Sequence, residues 1–232
     1  MKFSLVIPCY NEAASLPLLL ERCREVARHP DTEVILVDNG STDDSARVLR
    51  VLLPGVPGCR SVRVEHNQGY GHGIRAGLAA ATGSVLGWTH ADLQADPADA
   101  VRALALFEQH GPNIFVKGRR FGRPLADVAF SAGMSVFETV LLGQPMWDIN
   151  AQPTMFSRRF FDTWRGAPDD FSLDLYAYFH ARRQKLPVHR LAVRFGERAH
   201  GVSHWNVNWA AKRKFIRRTV AFSLQLKTAV KP

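Results

Sequence analysis

Residues 84–97, SVLGWTHADLQADP, run from a short apolar segment into an imidazole, an amide and carboxylates at His90, Asp92, Gln94 and Asp96. Val85, Leu86 and Trp88 read as a brief buried strand bounded by Gly83 and by the turn at Asp96 and Pro97, so the polar groups emerge at a strand's carboxyl end. In an open α/β sheet that edge is where ligands bind, because the loops fan apart there. Asp92 and Gln94 are two apart, and on continuing extended chain both side chains leave one face. Two converging oxygen donors suit a hard divalent ion such as Mg2+ or Mn2+, which keeps its other positions for water and phosphate oxygens. Asp96 is expected to cap the next helix, and Asp99 to be a solvated turn residue.

On either side of this stretch the chain alternates between the two periodicities. Residues 3–7 and 33–37 are compact apolar runs ended by Pro8 and Asp38, which predicts central parallel strands. Between them Leu16, Leu19, Leu20, Cys23 and Val26 recur at helical spacing, with Pro17 in the first turn. Ser41 with Asp44 resembles a capping box opening a helix over 42–53. Val62 and Val64 mark a third strand, 69–81 and 98–109 further helices, and 114–117 a fifth strand. This order predicts an α/β fold with a doubly wound, mostly parallel sheet flanked by helices. Beyond Gly118 the spacing predicts an apolar helix over 124–143, an irregular loop with a functional look over 143–156, a helix over 170–183 and a strand over 188–195. The last element, about 209–227, is an amphipathic helix with Phe222 and Leu226 on its apolar stripe and Arg217 and Arg218 opposite. The expected organisation is one domain over 1–206, built of halves 1–120 and 121–206, followed by a basic helix over 207–232.

The chain of 232 residues is 46% hydrophobic and 22% charged, an ordinary globular composition, and its formal charge of +9 is unevenly spread. Eight of the 30 basic residues and no acid lie from Arg198 onward, leaving 22 basic against 21 acidic residues in the rest. A C-terminal helix docked on the body and one facing anionic lipid headgroups both fit that pattern. Nucleic acid is not an expected partner, since the basic tail has no interleaved aromatic patch and no known motif. Cys9, Cys23 and Cys59 lack metal-ligand or CxxC spacing and read as reduced, buried thiols of a cytoplasmic protein. No uninterrupted apolar run reaches the roughly 18 residues of a membrane-spanning helix, so any membrane contact is expected to be peripheral, at the inner face.

The first two strands end in Pro8-Cys9-Tyr10-Asn11-Glu12 and Val37-Asp38-Asn39-Gly40-Ser41. Such a cleft can stack a nucleobase on Tyr10, pair it with Asp38 and hold ribose hydroxyls with Glu12. Taken together, LVIPCYNE (5–12), ILVDNGSTDDS (35–45), HNQGYGHGIRAGLAAATG (66–83) and ADLQADP (91–97) resemble glycosyltransferase family 2 with the GT-A fold, nearest to the polyprenyl- or dolichyl-phosphate sugar synthases. The resemblance implies an inverting transferase using a UDP- or GDP-linked sugar, with Pro8, Tyr10, Glu12 and Asp38 around the base and ribose. Asn11, Gly40, Ser41, Asn67 and Gly73 fall in the same donor-binding segments. It further implies that Asp92 and Gln94 hold a divalent metal bridging the two phosphates. His90 stands where the family usually has the first acid of an Asp-x-Asp pair, and it offers the ion a ring nitrogen at the loss of one negative charge.

Lys117, Arg119 and Arg120 resemble the family's basic segment facing an acceptor phosphate. Arg198-x-x-Gly201-x-Ser203 resembles its Arg-x-x-Gly-x-Ser signature, whose arginine contacts the donor diphosphate; a planar guanidinium suits that role. Ser203 and Gln152 fall on the acceptor side, the latter in Asn150-Ala151-Gln152-Pro153 where the synthases carry Ser-Gly-Phe. The implied acceptor is lipid-linked, a polyprenyl phosphate, or another cell-envelope glycan. A hydroxyl acceptor needs a general base, for which Asp174 and Asp148 are the candidates, whereas a phosphate needs none. Two other readings stand beside this one. His90 also suits a noncatalytic nucleotide-sugar-binding module. Gly71-x-Gly73-x-x-Ala76 with the later Asp92 nominally fits a dinucleotide fingerprint and an NAD-dependent oxidoreductase, although that fingerprint belongs in the first βα turn.

Overall fold

The computed structural model describes residues 1–198 and 209–228. Its elements are β1 (Phe3–Cys9), α1 (Leu16–Ala27), β2 (Thr32–Asn39), α2 (Ser45–Leu52), β3 (Cys59–Val64), α3 (Tyr70–Ala80), β4 (Val85–Trp88), α4 (Ala98–His110), β5 (Phe115–Phe121), α5 (Leu125–Leu142), β6 (Thr154–Ser157), α6 (Arg158–Phe161), α7 (Leu173–Arg183), β7 (Val188–Arg194) and α8 (Trp209–Thr228). The strands form one seven-stranded sheet in the order β3-β2-β1-β4-β6-β5-β7. All neighbouring pairs are parallel except those of β6, which runs antiparallel to both β4 and β5.

The apolar runs of β1 and β2 are buried on both faces, and their side chains alternate accordingly. Phe3, Leu5, Ile7, Val34 and Leu36 join Leu16, Leu19, Leu20 and Cys23 of α1 and Ala103, Leu104 and Phe107 of α4 on one side. Val6, Ile35, Val37, Leu86 and Trp88 meet Ile74 and Leu78 of α3 and Leu175, Tyr176 and Phe179 of α7 on the other. Aromatic rings fill this second layer, with Phe115 stacked between Phe156 and Tyr178 and Trp88 edge-on to Phe156 and Trp164. From β1 the chain winds one way to β2 and β3, then returns to place β4 on β1's other flank. The carboxyl ends of β1 and β4 therefore diverge at the sheet's switch point, the crevice where open α/β sheets take their ligands.

Several sequence expectations need correction. The loop expected over 143–156 ends in β6, which supplies a central strand; four residues after a proline are too few to register as a periodic segment. The capping box does not form: α2 starts at Ser45, Ser41 Oγ accepts from the Asn11 amide, and Asp43 Oδ1 accepts from the Ser45 amide. Asp96 does accept from the Ala98 amide at 2.9 Å, whereas Asp99 is buried and paired with Arg102 rather than solvated. Asp127 and Glu138 interrupt the apolar run of α5, yet its 18 residues have a mean hydropathy of 1.5, long and apolar enough by those measures to cross a membrane. Ser135 and Glu138 are its two buried residues, while Leu125, Val128, Val136, Phe137 and Val140 are exposed. On α8, Arg218 does not lie opposite the packed face; it reaches Asp170 at 3.0 Å. The helix docks on α5 through Ser223, whose hydroxyl donates to the buried Glu138 carboxylate at 2.7 Å.

Candidate functional site

Two cavities of about 390 Å³ each open at the carboxyl edge of the sheet, and His90, Asp92, Phe171 and Arg198 line both of them. One is walled by Pro8, Tyr10, Glu12, Asn39, Asn67 and Tyr70 from the ends of β1, β2 and β3. The other lies under α5, between Arg120 and Arg123 on one side and Gln152 and Asp174 on another, with Phe130, Met134, Ile149 and Phe195 as apolar lining.

The first cavity is held open by a knit of loops. The Asn11 side-chain oxygen accepts from the Thr42 amide at 2.9 Å, and the Asn39 amide donates to the Gly69 carbonyl at 2.9 Å. Gly40 sits at φ +71, and a side chain there would run into the His66–Asn67 backbone. Gly73 likewise makes room for the Asn39 side chain, so the glycines of α3 serve close packing of that helix. They follow β3, at the sheet's edge, which is not the place of a first βα turn. Tyr10 is half exposed at the mouth, whereas Asp38 is buried behind it. Asp38 Oδ1 accepts from the Ser41 amide at 3.0 Å; Oδ2 has no hydrogen-bond donor among the described residues and lies 3.6 Å from the Arg63 guanidinium. Burial pushes the Glu12 carboxyl above its usual range, with Asp92 adding to the effect.

Asp92 is the electrostatic centre. Burial alone would raise its pKa, but His90, Arg198 and the Gln94 amide hold it below the ordinary carboxylate value. Its Oδ2 lies 3.0 Å from Arg198 Nη2 and 3.9 Å from His90 Nδ1. Gln94 does not share its face as expected. The chain turns through a left-handed Leu93, φ +59, and the Gln94 side-chain amide donates to the Gly196 carbonyl at 3.1 Å.

Behind the second cavity Lys117 is fully buried. Its ammonium donates to Thr154 Oγ1 at 2.7 Å and to Asp174 Oδ1 at 3.2 Å, and burial lowers its pKa to about 8 despite the carboxylate. Lys117 therefore supports Asp174 from behind, and it lines neither cavity. Gln152 Nε2 donates to the same Asp174 oxygen at 2.8 Å. Arg119 is exposed away from both cavities. Asp148 is occupied: Arg120 binds it through its backbone amide and its guanidinium, and Arg123 lies 3.8 Å away. The Asp148 carboxyl is accordingly held low against the opposing effect of burial. Sequence reasoning passed over Arg123, which also donates to Ser131 Oγ at 2.8 Å, and Tyr70, whose hydroxyl meets His90 Nε2 at 3.0 Å. Ser203 lies outside the described residues.

Among known proteins, the model of "Glycosyl transferase family 2" matches residues 4–159. The chain is 40% identical over 112 residues to an undecaprenyl-phosphate 4-deoxy-4-formamido-L-arabinose transferase of Sodalis glossinidius, covering 47% of this chain and 34% of that protein. It is 41% identical over 113 residues to the protein of that name from Pseudomonas savastanoi pv. phaseolicola, covering 46% and 32%. The matched segment thus spans about a third of the length of these curated relatives. Among solved structures, glucosyl-3-phosphoglycerate synthase from Mycobacterium tuberculosis, crystallised with Mn2+, UDP and glucosyl-3-phosphoglycerate, superposes with a TM-score of 0.73 at 20% identity, covering 100% of this chain and 81% of that one. A second mycobacterial protein gives 0.77 at 18% identity, covering 100% and 76%. The shared architecture is the GT-A fold.

Proposed function

The chain belongs to glycosyl transferase family 2, and from that membership we propose that it transfers a sugar, with inversion, from a nucleoside-diphosphate donor to an anionic, lipid-linked acceptor of the cell envelope. The observation that carries this reading is the meeting of two cavities at His90, Asp92 and Arg198. The first has the shape and groups for the nucleotide: Tyr10 to stack the base, the Asp38 carboxylate behind it for a base N–H, and Glu12 for ribose. UDP is the first candidate, because the solved M. tuberculosis synthase of the same fold carries it. The second suits an acceptor with an apolar body and a phosphate head: Phe130 and Met134 line it beside Arg120 and Arg123, whose guanidinium groups, balanced in the free protein by Asp148 and Asp127, offer planar forks to phosphate oxygens.

Asp92, with His90 beside it, would hold a divalent ion, for which a buried carboxylate is a fitting hard donor. When bound, the ion would offset charge on the departing diphosphate. Arg198, paired with Asp92 in the free protein, is placed to turn to the same leaving group. The acceptor oxygen attacks the anomeric carbon, the bond to the diphosphate breaks, and its electron pair leaves with the nucleotide. A phosphate acceptor is already ionised, and Asp174, at the wall of the acceptor cavity, is then available to fix sugar hydroxyls. The 1–198 body acts as one transferase domain in this reading. Contact with the membrane is assigned to the exposed apolar residues of α5, which keep the acceptor cavity next to the lipid, with the enzyme peripheral at the cytoplasmic face.

Calorimetric titration of UDP and GDP, with and without Mn2+, tests the proposal. One nucleotide is expected to bind more tightly with Mn2+, and Asp92→Asn to abolish that enhancement. Failure of both nucleotides to bind, or an undiminished enhancement in Asp92→Asn, overturns it.

A further inference from the structure

Consecutive residues of α8 line different cavities: Arg218 is in the wall of the nucleotide cavity and Thr219 in that of the second. The helix is thus a wall common to both, and four residues on from Thr219 the Ser223 hydroxyl ties it to the buried Glu138 of α5. The Arg218 guanidinium is well located. Its Nε lies 3.0 Å from Asp170 Oδ2, and its Cζ lies over the Phe171 ring, 5.8 Å from the centroid. Phe171 lines both cavities and is itself stacked on Tyr70, centroids 4.6 Å apart. Among the described residues, the lining of the nucleotide cavity carries the carboxylates of Glu12, Asp92 and Asp170 and the guanidinium groups of Arg198 and Arg218. A diphosphate entering beside those acids needs more positive charge than Arg198, which already holds Asp92 at 3.0 Å. Arg218 can supply it at small cost. Its pair with Asp170 is partly exposed, at 39% and 31% for the two side chains, and such pairs contribute little. Asp170 Oδ1 meanwhile accepts from the Ser172 amide at 2.8 Å, so the carboxylate keeps a donor when the guanidinium turns away. Phosphate oxygens offer that planar fork a two-point acceptor.

Resting on the nucleoside-diphosphate donor proposed above, we infer that Arg218 is a second guanidinium for the donor's diphosphate, and that donor binding thereby fastens α8 over both cavities. The contact is with the donor and not the acceptor, because Arg218 lines the first cavity and not the second. By reciprocity, the affinity that α8 lends to the nucleotide returns to α8 as protection against opening. Occupancy of the nucleotide cavity then steadies a wall of the acceptor cavity through the single turn of helix that holds Arg218 and Thr219.

The test is calorimetric titration of the full-length protein with UDP and with uridine, or with GDP and guanosine where that base is the one bound, alongside amide exchange of α8. Arg218→Gln is expected to weaken the diphosphate about 10-fold while leaving the nucleoside unchanged, whereas a merely structural role would weaken both alike. Arg218→Lys keeps the charge and is expected to recover part of the loss. In the wild type, saturating nucleotide is expected to slow exchange over residues 218–226 by about 10-fold. That protection should vanish in Arg218→Gln and persist in Ser223→Ala, which loosens the helix without touching the guanidinium. Diphosphate affinity that is unchanged in Arg218→Gln, or lowered together with that of the nucleoside, refutes the phosphate contact and leaves the transferase reading standing. Exchange in α8 that ignores the nucleotide refutes the fastening. Absence of UDP and GDP binding in the wild type removes both readings together.

Discussion

Replacing Lys117 with methionine isolates the buried charge pair behind the second cavity, because this side chain lines neither cavity. Lys117 and Asp174 are 0% and 2% exposed with 3.2 Å between Nζ and Oδ1. At an effective dielectric of about 20, their attraction is about 5 kcal/mol, much of it offset by the desolvation of both ions. Methionine fills the stem but leaves Asp174 with Gln152 as its side-chain donor and takes the 2.7 Å donor from Thr154. Removing one member of such a pair typically costs about 3–5 kcal/mol, a large part of the roughly 5–15 kcal/mol that holds a domain together. Urea unfolding at pH 7 should therefore show Lys117→Met less stable by that amount, with the melting temperature lower by roughly 10 °C. Adding Asp174→Leu should recover at least half of the loss, since an apolar pair of similar volume is close to neutral where an orphaned carboxylate is not. A loss below about 1 kcal/mol in the single variant would refute the argument, for it would mean that the pair carries no net interaction in the fold.

Three further outcomes are expected. Burial would raise the Glu33 carboxyl, but hydrogen bonds from Thr82, Ser4 and Arg60 bring it down to about 2. Its stabilisation is therefore complete above the unfolded value near 4.5 and is lost as pH falls toward 2. After discounting for solvent screening this amounts to about 2 kcal/mol, and urea titrations from pH 5 to pH 2 should show that slope in wild type and not in Glu33→Gln. Ser223→Ala strips the buried Glu138 of its donor across the α5–α8 contact; amide exchange in α8 should quicken by about 10-fold, as expected for a loss of roughly 1–2 kcal/mol, with α1 unaffected. Arg198→Ala should lower donor turnover by about 100-fold or more while metal-free nucleotide binding changes little, read by steady-state kinetics alongside calorimetry.

The strands and helices of the first 120 residues were legible because their signals are local. Apolar runs ended by Pro8, Asp38 and His90 fix three strands and the edge to which they deliver their polar groups, and βα alternation then leaves few topologies. What escaped depends on backbone dihedrals and on distant partners. The spacing of Asp92 and Gln94 suggests one face only if the intervening residue is extended, and Leu93 is left-handed. Lys117 and Arg119 look alike in a basic run and share a strand face, yet β6 pairs with β5 only as far as Lys117, which is buried toward Asp174, 57 residues away, while Arg119, beyond that cover, is exposed. The pairing of Tyr70 with His90 likewise joins residues 20 apart. The hint available in advance was the departure at His90 itself: an imidazole in place of an acid needs a partner on its second nitrogen.

The antiparallel strand β6 has a consequence for how the chain is made. Its four residues separate β4 from β5 in the sheet, so two strands 27 positions apart in sequence, ending at Trp88 and beginning at Phe115, have no direct hydrogen bonds to each other. As the nascent polypeptide leaves the ribosome, β1 to β4 can assemble early, but the β4 edge stays bare until residue 157 has been synthesised and has cleared the exit tunnel. During that interval the Val85–Trp88 edge is open to wrong partners. A product terminated near residue 120 would be a sheet with an unsatisfied apolar border, prone to associate with itself. A cut in the gene anywhere between residues 88 and 154 leaves that border uncovered in the first fragment.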